Sequence, residues 1–123
     1  QFRGSDRDAG AIRMARANAE RAGVDHLTRF DNLNAADMER PDGPPGLIVV
    51  NPPYGTRIGN QKLLYGVYAG LGGKLRADFA GWRVGMVTSD TSLAKAAGLP
   101  FKPKGPAIPH GGRKVWLFQT DAL

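Results

Sequence analysis

Four consecutive residues, Asn51-Pro52-Pro53-Tyr54, carry the groups best suited to chemistry in this chain of 123 residues. The branched aliphatic run Leu47-Ile48-Val49-Val50 precedes them and Gly55 follows. That run reads as a strand of a parallel sheet, apolar enough to be buried on both faces. Two prolines then end it abruptly, since neither donates a ladder hydrogen bond and each fixes φ near about −65°. Asn51 thus falls at the carboxyl end of a strand, where open α/β sheets bind ligands. A planar ring bearing an exocyclic NH2 fits such a place. The Asn51 amide oxygen and the Pro52 carbonyl can accept the amine's two hydrogens, Pro53 stiffens the turn, and Tyr54 offers a flat face for stacking. Accepting both hydrogens draws the nitrogen lone pair out of conjugation and aims it outward, which makes a poor nucleophile usable. A plain Pro-Pro turn introduced by Asn is the competing reading of the same residues.

The elements that must position this turn lie on both sides of it. Phe2 to Asp6 reads as the tail of a strand, and Asp8 suits the N-cap of a helix over roughly Ala9–Ala22 that Gly23 stops. Ile12, Ala15, Ala19 and Ala22 give that helix a narrow, small-residue face. Asp6 is an acid at the end of a strand just before a helix, where nucleotide-type cofactors have their ribose hydroxyls held. A cap or turn role competes for it. Leu27–Phe30 reads as a short strand continued by polar residues to Asn34, and residues 37–46 as a surface loop. Residues 61–80 read as a helix with Leu63, Leu64, Val67, Leu71, Leu75 and Phe79 along one side. Gly66, Gly70, Gly72 and Gly73 weaken it, which a bend or close helix–sheet packing would explain. Trp82–Thr88 reads as another buried strand and Thr91–Ala97 as a short helix. Residues 99–108 and 113–119 read as an antiparallel hairpin around Pro109-His110-Gly111-Gly112, with the prolines at 100, 103 and 106 pushing its first strand to an edge.

Composition narrows the classes further. With 41% hydrophobic residues and no long apolar run, a membrane span or signal peptide is not expected. The absence of cysteine excludes disulfides and thiolate metal sites and fits a cytoplasmic protein. His26 and His110 have no metal-ligand partner at helical spacing, and no serine elbow or phosphate loop is present. The net charge of +6 resides entirely in residues 61–123, where nine Lys/Arg face three acids, whereas residues 1–60 balance. Such asymmetry fits a polyanion lying against the C-terminal half. Lys102, Lys104, Arg113 and Lys114 concentrate on the hairpin, and Arg57 sits in the loop after Tyr54, where it could meet a phosphate of such a polyanion, stack on a planar ring or simply face solvent.

The turn resembles the (Asn/Asp/Ser)-Pro-Pro-(Tyr/Phe/Trp) motif of class I S-adenosylmethionine-dependent amino-methyltransferases. The longer match, Leu47-Ile-Val-Val-Asn-Pro-Pro-Tyr-Gly-Thr-Arg-Ile-Gly59, resembles the 23S rRNA guanine-N2 methyltransferases that carry a THUMP RNA-binding domain ahead of the catalytic domain. Similarity runs from Gly4-Ser5-Asp6 to about Asp121. The resemblance implies an α/β Rossmann-like sheet ordered 3-2-1-4-5-7-6 and closed by a C-terminal antiparallel hairpin. It implies S-adenosylmethionine as cofactor and ribosomal RNA as partner, with Asn51, Pro52, Pro53 and Tyr54 as the catalytic turn. Asp6 matches the ribose ligand, Asn51 lines the cofactor, and a residue after the strand at 27–30 matches the adenine contact. Asp31, Asn32 and Asn34 all compete for that last place, with Leu33 in the aligned position, and Asn32 is favoured.

One part of the family pattern has no counterpart. The glycine-rich cofactor turn expected after the first, central strand matches none of the 17 glycines, Gly70-Leu-Gly-Gly73 lying inside a helical pattern instead. Residues 1–123 are therefore expected to form part of a catalytic domain, with the first strand and the THUMP domain upstream, and to bind cofactor and turn over poorly alone. Two other functions compete: N6-adenine methylation of DNA or RNA, which uses the same turn, and a noncatalytic RNA-binding remnant.

Overall fold

The computed structural model describes residues 1–55 and 60–123 and divides the chain into two units, residues 1–39 and 40–123. In the first unit, strand β1 (Phe2–Asp6) and strand β2 (Thr28–Asn32) pair in parallel, from Phe2 opposite Thr28 to Asp6 opposite Asn32, and helix α1 (Ala9–Arg21) connects them. Local chemistry fixes the helix ends. Asp8 accepts from the Gly10 amide at 2.8 Å, the expected N-cap. At the other end the Gly23 amide bonds the Glu20 carbonyl and the Val24 amide the Ala19 carbonyl, with Gly23 at φ +69°, a Schellman stop. Ile12 and Ala19 are buried, while Ala22, expected on the same face, is exposed. Leu27, expected to begin β2, belongs to a 3-10 turn over Asp25–Leu27 instead. Its amide is bonded to the Val24 carbonyl, so the ladder starts only at Thr28.

The second unit is a four-stranded sheet of order β3-β4-β6-β5, made of β3 (Leu47–Val50), β4 (Arg83–Thr88), β5 (Ile108–His110) and β6 (Arg113–Gln119). β3 and β4 run parallel, with Val50 opposite Met86. β6 returns antiparallel to β4, and β5 to β6. The expected hairpin is present, but its turn is the pair Gly111-Gly112, both at positive φ, and His110 belongs to the strand. Only three residues of the long first arm join the ladder, because Pro100, Pro103 and Pro106 cannot donate to it. These strand orders match the class I sheet, closing antiparallel pair included. Among the described residues β1 and β3 each pair on one side only.

Helix α2 (Gln61–Asp78) buries Leu64, Tyr68, Leu71, Gly72 and Leu75, each worth about 1.5–3 kcal/mol where the side chain is large and apolar. The stripe is rotated from the expected one, and Leu63 and Val67 are exposed. β3 departs from expectation too. Ile48 is buried, yet Leu47 and Val49, on the opposite face, are 55% and 68% exposed, since no described element covers them.

Of the α2 glycines, one is required by contact. A Cβ at Gly72 would run into the Ala97 carbonyl at the end of helix α3 (Thr91–Ala96), so the close approach is helix against helix and not helix against sheet. Nothing lies near a Cβ at Gly70. Accordingly, Gly72→Ala should lower stability by ~1–3 kcal/mol through overpacking, whereas Gly70→Ala should raise it by up to ~1 kcal/mol. Urea unfolding of the two variants checks the sign of each.

Candidate active site

The parallel pairing of β3 and β4 brings their carboxyl ends together. Val50 opposite Met86 places the residues after Val50 beside Thr88, the last residue of β4. There the ladder stops and Asn51-Pro52-Pro53-Tyr54-Gly55 forms an irregular turn with no cis peptide among the described residues. Asn51 is exposed, Pro52 is buried, and Pro53 and Tyr54 are half-buried. Among the described residues, neither the Asn51 amide nor the Pro52 carbonyl has a hydrogen-bond partner. The two acceptors at this turn are therefore uncommitted.

From beneath, the turn is held. Tyr68, fully buried on α2, has its hydroxyl 3.1 Å from the Pro53 carbonyl and 3.0 Å from the hydroxyl of Thr88, itself fully buried. Burial raises the Tyr68 pKa above the ordinary phenol value, with Asp90 and Tyr54 adding to the shift against the Thr88 hydrogen bond. The phenol thus stays neutral, and a donor, throughout the physiological range. Tyr68 and Thr88 were invisible to composition and motif; the only signal was a tyrosine four residues beyond Leu64 in an apolar helical row.

Gly55 closes the turn against the hairpin. A Cβ there would strike the Arg113 guanidinium, so this cation is packed onto the backbone directly after Tyr54. The other expected RNA contacts have partners of their own. Lys102 pairs with Asp121 at 2.6 Å, and Lys104 bonds the Thr91 hydroxyl at 3.0 Å with its ammonium 4.2 Å from the Trp116 ring centre. Lys114 is exposed and follows Arg113 in the strand, so it points to the other sheet face. Arg57 lies outside the described residues. Arg113 is the hairpin cation packed on the turn.

In the first unit, the end-to-end register brings Asp6 and Asn32 together. The Asn32 side-chain amine donates to the Asp6 carbonyl at 2.9 Å, and one Asp6 carboxylate oxygen accepts from the Asp8 amide at 2.8 Å. Asp6 therefore does make the turn contact that competed with the cofactor reading. Its other carboxylate oxygen and the Asn32 amide oxygen have no partner among the described residues. Of the alternatives for the adenine contact, Asp31 is paired with Arg29 at 2.8 Å and Asn34 bonds Asp37. A carboxylate oxygen and an amide oxygen at a strand's carboxyl end suit ribose hydroxyls and an adenine amine. No group of metal-ligating side chains occurs among the described residues, and no helix there is long and apolar enough to cross a membrane.

This arrangement is that of a class I methyltransferase fold, and structural comparison agrees. A protein described as a methyltransferase complexed with SAH (SMU.472) superposes on all of this chain with a TM-score of 0.90 at 24% identity, the chain covering 32% of it. A methylase structure from Clostridium difficile 630 matches with a TM-score of 0.87 at 30% identity, with the same coverages. The chain belongs to the UPF0020 family, the RMKL-like methyltransferase domain, whose model matches residues 1–104. It is 46% identical over 99 residues to the ribosomal RNA large subunit methyltransferase K/L of Syntrophotalea carbinolica, spanning 78% of this chain but 14% of that protein.

Asp90, two residues past the end of β4, is the N-cap that holds helix α3. It accepts from the Ser92 amide at 2.8 Å, the Ser92 hydroxyl at 2.6 Å and the Leu93 amide at 3.3 Å, while the Gln61 side chain donates to its other oxygen at 3.2 Å. The Ser92 hydroxyl is the main cause of its lowered pKa. A depressed carboxylate stabilises the fold above its ordinary titration range and ceases to do so as pH falls through the depressed value. Asp90→Ala should therefore cost about 1 kcal/mol at neutral pH. Denaturant midpoints of wild type and variant should converge in acid, below the ordinary carboxylate range.

Proposed function

We propose that this chain is part of the catalytic domain of an enzyme that methylates the exocyclic N2 of a guanine in 23S ribosomal RNA. The observation that carries this reading is the rigid turn after β3, whose Asn51 amide oxygen and Pro52 carbonyl are uncommitted acceptors beside a stacking tyrosine. Family membership and the name of the Syntrophotalea relative support the ribosomal substrate.

The target base is extruded from its stack and laid against Tyr54. Asn51 Oδ1 and the Pro52 carbonyl accept the two amine hydrogens, which localises the nitrogen lone pair and points it away from the ring. S-adenosylmethionine supplies, when bound, a methyl group activated by a sulfonium. Asp6, through its open carboxylate oxygen, and Asn32, through its amide oxygen, are the residues suited to hold its ribose and adenine. Positioning does most of the work. No strong base is required, because the nitrogen readily gives a proton to water once alkylated. In this reading Arg113, packed at Gly55, meets a phosphate or base edge next to the flipped nucleotide, and Lys114 meets RNA on the far side of the hairpin.

Two features support a role for sequence outside residues 1–123 in the full catalytic domain. The chain spans 14% of its Syntrophotalea relative, and among the described residues β1 and β3 each lack a partner on one side. In the class I order the strand next to both is the first one, which carries the cofactor turn. N6-adenine methylation uses the same four-residue turn, and the identity of the product separates the two readings.

The test is methyl transfer to 23S rRNA transcripts by the longest native chain carrying these residues, followed by nucleoside mass spectrometry. N2-methylguanosine is the expected product, and N6-methyladenosine would overturn the assignment. Asn51→Ala should lower kcat by ~10²–10³-fold, the loss typical of one oriented hydrogen-bonding group. Because Asn51 is exposed, the melting temperature should not change.

A further inference from the structure

Proline leaves the turn few means of being held. Neither Pro52 nor Pro53 has an N–H, so only carbonyls can anchor the backbone between Asn51 and Tyr54. Among the described residues the Pro53 carbonyl is the one with a partner, the Tyr68 hydroxyl at 3.1 Å. That hydroxyl has a single proton, and two oxygens lie within reach, Pro53 O and Thr88 Oγ1 at 3.0 Å. A carbonyl can only accept, which fixes the direction of the whole chain of bonds. Tyr68 donates to Pro53, Thr88 donates to Tyr68, and Thr88 Oγ1 accepts from the Asp90 amide at 3.3 Å. Both side chains are fully buried, so no water substitutes for either bond at low cost.

Building on the functional reading above, we propose that Tyr68 is a positioning residue for methyl transfer. Its hydroxyl clamps the Pro53 carbonyl and so sets the plane of the Pro53–Tyr54 peptide. That plane sets where the Tyr54 ring lies. With φ restricted at both prolines, the same anchor limits where Asn51 and the Pro52 carbonyl can point. Thr88 completes the clamp by filling the second site on the Tyr68 oxygen and tying it to the end of β4. Without the hydroxyl the turn keeps its apolar seat but loses its aim.

Kinetics of variants in the longest native chain test this. Tyr68→Phe keeps the ring and should reduce kcat by ~10- to 100-fold, as expected for a displacement of reacting groups, with KM for S-adenosylmethionine unchanged. Thr88→Val should lower kcat in the same direction, Thr88→Ser should restore it, and the double variant Tyr68→Phe/Thr88→Val should be no slower than Tyr68→Phe alone. Wild-type kcat in Tyr68→Phe overturns the clamp, as does a loss that only tracks the unfolded fraction measured by circular dichroism. Should Tyr68→Phe fail to fold, the Thr88→Val and Thr88→Ser pair decides, and equal kcat in the two overturns it. Asn51→Ala separates the layers: if it lowers kcat as expected while Tyr68→Phe keeps the wild-type value, the clamp alone fails, and if it leaves transfer intact the site reading beneath it fails too.

Discussion

The parallel pairing of β3 with β4, cut short by two prolines, is what the second unit depends on. Val50 opposite Met86 is the last rung, and Pro52 and Pro53 deny the ladder any continuation. The chain must therefore leave the sheet at Asn51, beside Thr88. From that one constraint follow the exposure of the Asn51 amide, the burial of Pro52 and the reach of Tyr68 to the Pro53 carbonyl. The antiparallel β6, returning against β4 with Trp116 opposite Thr88, carries Arg113 past the same end and onto Gly55.

Core packing and the hold on the turn meet in the same groups here. α2 contributes apolar burial through Leu64, Leu71 and Leu75, while Tyr68 in the same row is as fully buried but spends its hydroxyl on the turn. Its N-terminal turn also bonds to α3, since Gln61 donates to Asp90 and the Tyr65 hydroxyl lies 2.6 Å from that of Ser92. Gly72 and Arg76 join the other ends of the two helices, Arg76 donating to the Ala97 and Gly98 carbonyls. One helix thus fixes both the Asn51–Gly55 turn and the cap next to it.

Much of this was legible from sequence because the signals were local. Asp8 and Gly23 cap α1, Asn51-Pro-Pro-Tyr ends β3, and the glycine pair at 111–112 turns the hairpin, each by a constraint that acts within a few residues. What was misread depends on partners far along the chain. Leu47 and Val49 look buried in a parallel strand, yet their exposure is decided by which elements cover that face. Leu63 and Val67 fit the α2 period as well as Tyr68 does, and only the seat of the helix on the sheet picks the stripe. Charge on the hairpin can be counted from sequence, whereas the partners it finds, the Lys102–Asp121 pair and the Lys104–Trp116 stack, cannot.

Among the described residues β1 and β3 pair on one side only, with an energetic consequence. Each leaves a row of backbone donors and acceptors that a further strand would satisfy. In the proposed enzyme that strand brings the cofactor turn with it, so cofactor affinity and completion of the sheet are one event. Calorimetric titration with S-adenosylhomocysteine measures this directly, run on residues 1–123 and on the longest native chain carrying them. Binding by the longer chain only is the predicted result. Equally tight binding by residues 1–123 alone would contradict it, and would mean that the residues described here build the cofactor site by themselves.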